Sequence, residues 1–149
     1  MANQVVNDAV RAQIGTETAP RTYDVERGAI RRFAEAIGDP NPVFNDEPLA
    51  RESRFGGMIA PPTFCRSLGR DLPEVKLDLA EFHVLDGGSE WEYFKPIRPG
   101  DRITTVSKIA DIRENAGRLG PMVFIVVEHR YTNQHDQLCV LQRMTIIRY

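Results

Sequence analysis

Apolar residues recur at helical spacing in the first part of the chain and at every second position in the last part. The clearest helical pattern falls at i, i+3, i+4 and i+7, in Ile30, Phe33, Ala34 and Ile37. Gly38 follows directly and is a typical helix stop. Residues 5–14 show a shorter pattern of the same kind before Gly15, and residues 48–53 can form one more helical turn. We predict helices in all three segments.

From residue 82 onward the chain is rich in Val, Ile, Thr and aromatic residues, which is the composition of strands. We expect strands at residues 103–112, 122–131 and 138–149, preceded by one that contains Trp91 and Tyr93. Turn-like sequences separate them at residues 115–118 and 132–136. A brief strand is also expected around Tyr23. Helices followed by a meander of long strands predict the α+β class with an antiparallel sheet.

The middle of the chain contains two proline pairs, Pro40 with Pro42 and Pro61 with Pro62. The first pair cannot continue the preceding helix, so residues 39–46 are predicted to form a stiff loop at its end. The second pair suits the first turn of a helix in which Phe64 and Leu68 share one face. We therefore expect a further helix from Pro61 to about Gly69.

The size and charge of the chain narrow the classes of function. The 149 residues are expected to form one domain, residues 1–149. Lys and Arg number 19 and Asp and Glu 21, so the formal net charge of −2 gives no electrostatic reason to bind nucleic acid or an anionic membrane. No run approaches the ~18 apolar residues of a membrane span, and residues 1–14 lack the apolar region of a signal peptide. A cytoplasmic location is expected.

Several kinds of catalytic site are disfavoured by the residues present. The histidines, His83, His129 and His135, lack the spacing of a zinc site, so no metal is expected. Cys65 and Cys139 lie in apolar segments and are expected to be buried reduced thiols, although a disulfide between them stays open. The sequence contains no G-x-S-x-G elbow, no G-x-x-x-x-G-K phosphate loop and no dinucleotide fingerprint.

The loop at residues 38–46, Gly-Asp-Pro-Asn-Pro-Val-Phe-Asn-Asp, concentrates prolines, Asn and Asp directly after a helix. These residue types alone favour a structural interpretation, in which Gly38 caps the helix and the rest forms Asx and proline turns. The same stretch resembles the G-D-x-N-P-[LIV]-H-x-D motif of MaoC-like (R)-specific enoyl-CoA hydratases and dehydratases, except that Phe44 stands at the histidine position. Similar stretches follow in the same order at residues 54–64, 85–93, 98–102, 120–124 and 131–133.

This resemblance implies a single hot-dog domain, in which an antiparallel sheet wraps around the helix predicted after residue 60. It points to the N-terminal, fungal-synthase-like dehydratase branch, which includes the substrate-binding subunits of heterodimeric dehydratases. In the family an Asp and a His hold the attacking water. The Asp position is Asp39 here, and the His position is Phe44, whose ring can neither accept nor donate a proton.

The donors for the thioester oxygen are also reduced relative to the family pattern. In the family they are backbone N–H groups at the start of the hot-dog helix, which corresponds here to residues 60–63. Pro61 and Pro62 have no N–H, so Thr63 and Phe64 remain as possible donors. Both changes together imply that this chain has lost independent catalysis.

The resemblance therefore implies one subunit of an (R)-type 2-enoyl-CoA hydratase or 3-hydroxyacyl-thioester dehydratase. It would be the substrate-binding half, in a homodimer or in a heterodimer with a second, catalytic MaoC-like chain. The substrate would be a CoA thioester, with no cofactor, and Asp39 is the remaining catalytic candidate. The expected substrate-binding residues are Asn41, Phe44, Asn45, Met58, Thr63, Phe64 and Trp91. The candidates for contact with CoA phosphates are Arg54, Arg66 and Arg98.

Two other functions stay open from the sequence. A self-sufficient homodimeric hydratase would use Asp39, with Asn41 or Asn45 positioning water and Phe44 desolvating the carboxylate. A non-enzymatic acyl-CoA-binding module would bind the thioester and give no turnover with any partner.

Overall fold

The main element of the computed structural model is a five-stranded antiparallel sheet with the strand order β1-β3-β4-β5-β2. The structure describes residues 4–69, 71–78, 82–118 and 120–149. The strands are β1 Arg21–Asp24, β2 Val84–Tyr93, β3 Arg102–Gly117, β4 Gly120–Thr132 and β5 Leu138–Arg148. The α+β class and the antiparallel sheet are confirmed.

The three long strands β3, β4 and β5 pair in sequence order and form the predicted meander. Buried side chains alternate with more exposed ones along β3 and most of β4. The turn predicted at residues 115–118 contains fewer residues than expected. Asn115 still pairs with Met122, and Gly117 with Gly120, so pairing continues nearly to the tip of the hairpin. The turn after β4 is as predicted, and the Asn133 side chain holds it by accepting hydrogen bonds from the backbone N–H groups of His135 and Gln137.

The helices are short, and they are α1 Asp8–Arg11, α2 Arg27–Ala36 and α3 Glu47–Glu52. In α2 the predicted apolar face is confirmed, since Ile30 and Ala34 are buried. α1 covers only part of the predicted residues 5–14, and the Asn7 side chain caps it by accepting from the N–H of Val10. No helix in the described residues is long and apolar enough to cross a bilayer.

The helix predicted from Pro61 to about Gly69 is wrong in its length and type. Only a four-residue 3₁₀ helix forms, Phe64–Ser67, and Leu68 after it is extended. The Ser67 hydroxyl donates to the Phe64 carbonyl at 2.6 Å, which competes with helical bonding, whereas the missing N–H groups of Pro61 and Pro62 fall in the first turn, where a helix needs none. The sheet therefore faces a short turn instead of a full central helix.

The buried side chains form two clusters on the inner face of the sheet, which we define as the face that carries them. The first cluster joins α2, the loop after it and the 3₁₀ helix to the sheet, and includes Ile30, Ala34, Phe44, Met58, Phe64, Ile103 and Tyr131. The second joins the N-terminal segment to the far part of the sheet, and includes Val6, Val10, Val75, Ile109, Ile125 and Val127. The predicted functional loop thus packs directly on the first cluster.

The two isoleucines of α2 test whether its predicted face anchors the helix. Ile30 has no exposed surface, whereas Ile37, at the C-cap, is 50% exposed. We expect Ile30→Ala to lower the free energy of unfolding by about 2–5 kcal/mol, through lost burial and the cavity left behind. Ile37→Ala is the matched control and should stay within about 0.5 kcal/mol of the wild type. Urea denaturation measures both, and equal losses would contradict this packing.

Candidate functional site

The polar side chains of the loop at residues 38–46 bind the backbone of the loop itself. Asp39 Oδ1 accepts from the N–H of Asn41 at 3.0 Å, and Asn41 Oδ1 accepts from the N–H of Val43 at 3.1 Å. Asp46 Oδ1 accepts from the N–H of Leu49 at 3.0 Å and so caps α3. Three successive side-chain caps therefore set the path of the loop, as the structural interpretation predicts.

The start of the loop is fixed to α2. Gly38 has a φ of +70°, the left-handed conformation that commonly ends a helix, and the N–H of Asp39 donates to the Ala34 carbonyl at 2.9 Å. The loop then forms a 3₁₀ helix, Pro42–Phe44, with Asn45 at its C-cap. This turn directs the Phe44 ring into the first cluster, where only 5% of it is exposed.

A cavity of about 430 Å³ lies beside the loop. Its walls come from the loop, the segment after α3, the stretch around the second proline pair, and the connection from β2 to β3. The lining residues are Asn41, Val43, Phe44, Arg54, Phe55, Ile59, Ala60, Pro61, Pro62, Tyr93, Phe94, Lys95, Pro96, Ile97 and Val140. The walls are mainly apolar, and none of the described lining residues is Asp, Glu or His.

Hydrogen bonds between distant segments hold these walls together. The N–H of Ile59 donates to the Val43 carbonyl at 3.2 Å, and the N–H of Ala60 donates to the Ile97 carbonyl at 2.7 Å. Arg98 Nη2 donates to the Phe55 carbonyl at 2.6 Å. Because each bond joins two different walls, the folded backbone itself holds the shape of the cavity.

The predicted substrate-binding residues divide into two groups. Asn41 and Phe44 line the cavity, whereas Asn45 and Thr63 do not. Met58, Phe64 and Trp91 are also outside its lining. Met58 and Phe64 are buried in the first cluster, where Phe64 makes an edge-to-face contact with Phe33 at 5.7 Å, and Trp91 packs against that cluster from β2. Asp39 is half-buried and does not line the cavity.

The predicted phosphate-binding arginines are also placed differently from one another. Arg54 lines the cavity, and its guanidinium lies 4.7 Å from the centre of the Phe55 ring. Arg66 is exposed on the second 3₁₀ helix, away from the lining. Arg98 is used within the protein, because its side chain binds the Phe55 carbonyl and its N–H donates to Asp101 Oδ2 at 2.8 Å.

Sequence reasoning missed Lys95, the second cation in the lining. It follows the aromatic pair Tyr93 and Phe94 at the end of β2 and precedes Pro96. The signal available in the sequence was this position, where a strand ends and a proline turns the chain. The residue belongs to none of the matched motifs, so the motifs alone could not find it.

The backbone donors at the second proline pair are mostly occupied. The N–H of Phe64, one of two predicted donors to a thioester oxygen, already donates to the Pro61 carbonyl at 2.9 Å. The N–H of Ala60 is bound to Ile97, as described above. Thr63 is exposed at the start of the turn and is the remaining predicted donor.

The thiols near the cavity do not provide a nucleophile. Cys65 and Cys139 are both free and buried in the first cluster, which agrees with the predicted reduced thiols. Burial raises the pKa of the Cys65 thiol to about 12, and burial also raises the pKa of Cys139. Both side chains are therefore protonated at neutral pH and act as apolar packing groups.

The model of the FAS1-like dehydratase domain region matches residues 12–142 of this sequence. The chain belongs to this dehydratase family. A UPF0336 protein of Streptomyces avermitilis is 40% identical over 100 residues, which cover 64% of this chain and 67% of that protein.

Solved structures agree with the hot-dog fold of this dehydratase-family chain. A MaoC-like dehydratase from Rhodospirillum rubrum superposes with a TM-score of 0.72 at 23% identity, over 90% of each chain. A chain of the ChsH1–ChsH2 complex from Mycobacterium tuberculosis gives a TM-score of 0.77 at 22% identity, over 93% of this chain and 86% of that one. The fold that the resemblance implies is therefore confirmed.

The cap at Asp39 in this dehydratase-family chain can be tested apart from any catalytic role. Asp39→Ala removes the acceptor for the N–H of Asn41 and should lower the free energy of unfolding by about 0.5–1.5 kcal/mol. Asp39→Asn keeps an acceptor oxygen at the same place and should retain most of that stability. Thermal or urea unfolding compares the two variants. If both lose the same stability, the side chain does not act as a cap.

Proposed function

We propose that this chain is the substrate-binding half of an (R)-type 2-enoyl-CoA hydratase or 3-hydroxyacyl-thioester dehydratase, paired with a catalytic MaoC-like chain. The observation that carries the proposal is the position of Phe44. At the place where the motif has a histidine, a buried aromatic ring forms part of the wall of a mainly apolar cavity. The residue contributes to binding an acyl group and cannot transfer protons.

The chemistry of hydration requires more than this cavity contains. A base takes a proton from water as the water oxygen attacks the β-carbon, an acid protonates the α-carbon, and donors stabilise the charge on the thioester oxygen. Asp39 lies outside the lining and is engaged in a turn. Because the described lining offers neither carboxylate nor imidazole, these steps are assigned to the partner chain.

The cavity suits a thioester with an apolar acyl part and an anionic carrier. Its apolar walls match the acyl part, and Arg54 and Lys95 are the cations among its described lining residues. Without a carboxylate in the same lining, these cations favour a negatively charged ligand such as the phosphates of coenzyme A. The thioester is the substrate, and the proposal needs no other cofactor.

The need for a partner is supported by the edge of the sheet. β2 is an edge strand, and its backbone bonds with β5 on one side only. Tyr93 and Phe94 lie at its end, are 50% and 51% exposed, and also line the cavity. A second chain added along β2 would cover these rings and complete the site.

The proposal predicts activity only in the paired state. The lone chain should bind a series of trans-2-enoyl-CoA thioesters without hydrating them, and co-expression with a MaoC-like chain that retains the histidine should give turnover. The decrease in absorbance of the conjugated enoyl thioester measures hydration. Asp39→Asn should leave the activity of the pair largely unchanged.

The assays also separate the other candidate functions. Robust turnover by the lone chain, lost in Asp39→Asn, would support the self-sufficient homodimer and overturn the proposal. Thioester binding without turnover in any pairing would support the non-enzymatic module.

The cations of the cavity give a separate test of the ligand. The double variant Arg54→Gln, Lys95→Gln should weaken binding of a trans-2-enoyl-CoA by about ten-fold, because two partly exposed charge contacts are lost. Binding of the same enoyl group on N-acetylcysteamine, which has no phosphates, should change little. Arg66→Gln is the matched control, since it removes an exposed cation outside the cavity. Isothermal titration calorimetry measures the affinity of the wild type, the double variant and Arg66→Gln for both ligands. An equal loss of affinity for both ligands in the double variant would contradict phosphate recognition.

A further inference from the structure

The edge strand β2 carries charge of one sign. Its acidic residues are Asp86, Glu90 and Glu92, and the sequence from Val84 to Tyr93 contains no Lys or Arg. Every residue of the strand except Trp91 is exposed. A chain that pairs along this edge therefore meets an acidic strand.

Two of these carboxylates project from the outer face of the sheet, opposite the two apolar clusters. Ser89 and Trp91 pair with Met144 and Gln142 of β5, which are buried on the inner face, while Glu90 pairs with Arg143. Glu92, two residues further on, shares the face of Glu90 because side chains alternate along a strand. The acidic outer pair, as we call Glu90 and Glu92, thus lines the edge where a partner strand would lie.

The chain neutralises this pair only in part. Arg143 donates to Glu92 Oε1 at 2.5 Å and to Glu128 Oε2 at 3.3 Å, so one guanidinium serves two carboxylates. Among the described residues, no cation lies within salt-bridge distance of Glu90. Glu90 lies opposite Arg143 and shares a surface pocket with Arg113, so its charge is offset only in part and still acts on an added strand.

A second copy of this chain fits the edge poorly for electrostatic reasons. A joint sheet with a continuous inner face must place outer residues of one strand beside outer residues of the other. In any antiparallel two-fold pairing centred between Ser89 and Glu92, a carboxylate of the acidic outer pair then lies directly opposite, or diagonal to, one from the other copy. Cross-strand neighbours of like charge are destabilising at these spacings.

We propose that β2 selects a partner whose facing edge strand carries Lys or Arg on its outer face, and that the acidic outer pair disfavours pairing of two identical chains. This inference rests on the proposed pairing with a second MaoC-like chain along β2, and adds what charge the partner presents there. Repulsion against the wrong partner and attraction to the right one act together at such an interface.

The inference can be tested with a charge-reversed copy of this chain as a basic probe. Fluorescently labelled wild-type chain is titrated with unlabelled wild type and with unlabelled Glu90→Lys. We expect the mixed pair to be about ten-fold tighter than the wild-type pair, because one cross-strand repulsion is replaced by an attraction. Glu90→Gln should fall between them. The difference should shrink in about 0.5 M NaCl, where charges are strongly screened.

Glu35→Lys is the control, since it makes the same charge change on an exposed position of α2. It should bind labelled wild type as the unlabelled wild type does. Equal affinity for wild type and Glu90→Lys, or no association in any mixture, would overturn the inference. Circular dichroism checks that each variant is folded. Because the readout is association without substrate, its failure is distinguishable from failure of the hydratase proposal.

Discussion

The backbone hydrogen bonds of the two residues before Pro61 decide how the middle of the chain packs on the sheet. The N–H groups of Ile59 and Ala60 donate to carbonyls of the loop and of the β2–β3 connection. After them the chain turns at Pro62 and Thr63 into the short 3₁₀ helix Phe64–Ser67, where the N–H of Phe64 donates to the Pro61 carbonyl. The mainly apolar cavity lies between the segments joined in this way.

The same bonds explain why the cavity fits binding better than proton transfer. Its walls are fixed by the backbone and by the Arg98 guanidinium, so little conformational freedom is lost when an apolar group enters. The polar side chains of the neighbouring loop are used as caps and do not converge on the cavity. Phe44 completes the wall at the one position where the family motif places an imidazole.

Much of the fold could be predicted because it depends on local patterns, whereas the site depends on contacts distant in sequence. Periodicity located α2 and the meander, and the residues of the loop predicted its caps. Helical spacing of Phe64 and Leu68 identified their buried side but not the helix type, since spacing carries no information about competing hydrogen bonds. Arg98 is an example of a contact that local patterns cannot predict. Its hydrogen-bond partner, the Phe55 carbonyl, lies 43 residues away in the sequence. The sequence alone therefore left Arg98 as a candidate for binding phosphate.

In the proposed pair, the position of Tyr93 and Phe94 would link association to ligand binding. Both rings are half-exposed at the end of the edge strand, and both line the cavity. A chain that covers them would remove apolar surface from water and at the same time close the space proposed for the acyl group. If closing the cavity strengthens thioester binding by some factor, the thioester must strengthen association by the same factor, because the two equilibria share one thermodynamic cycle. The proposed partner choice at β2 and the proposed substrate binding beside Phe44 would then depend on one interface.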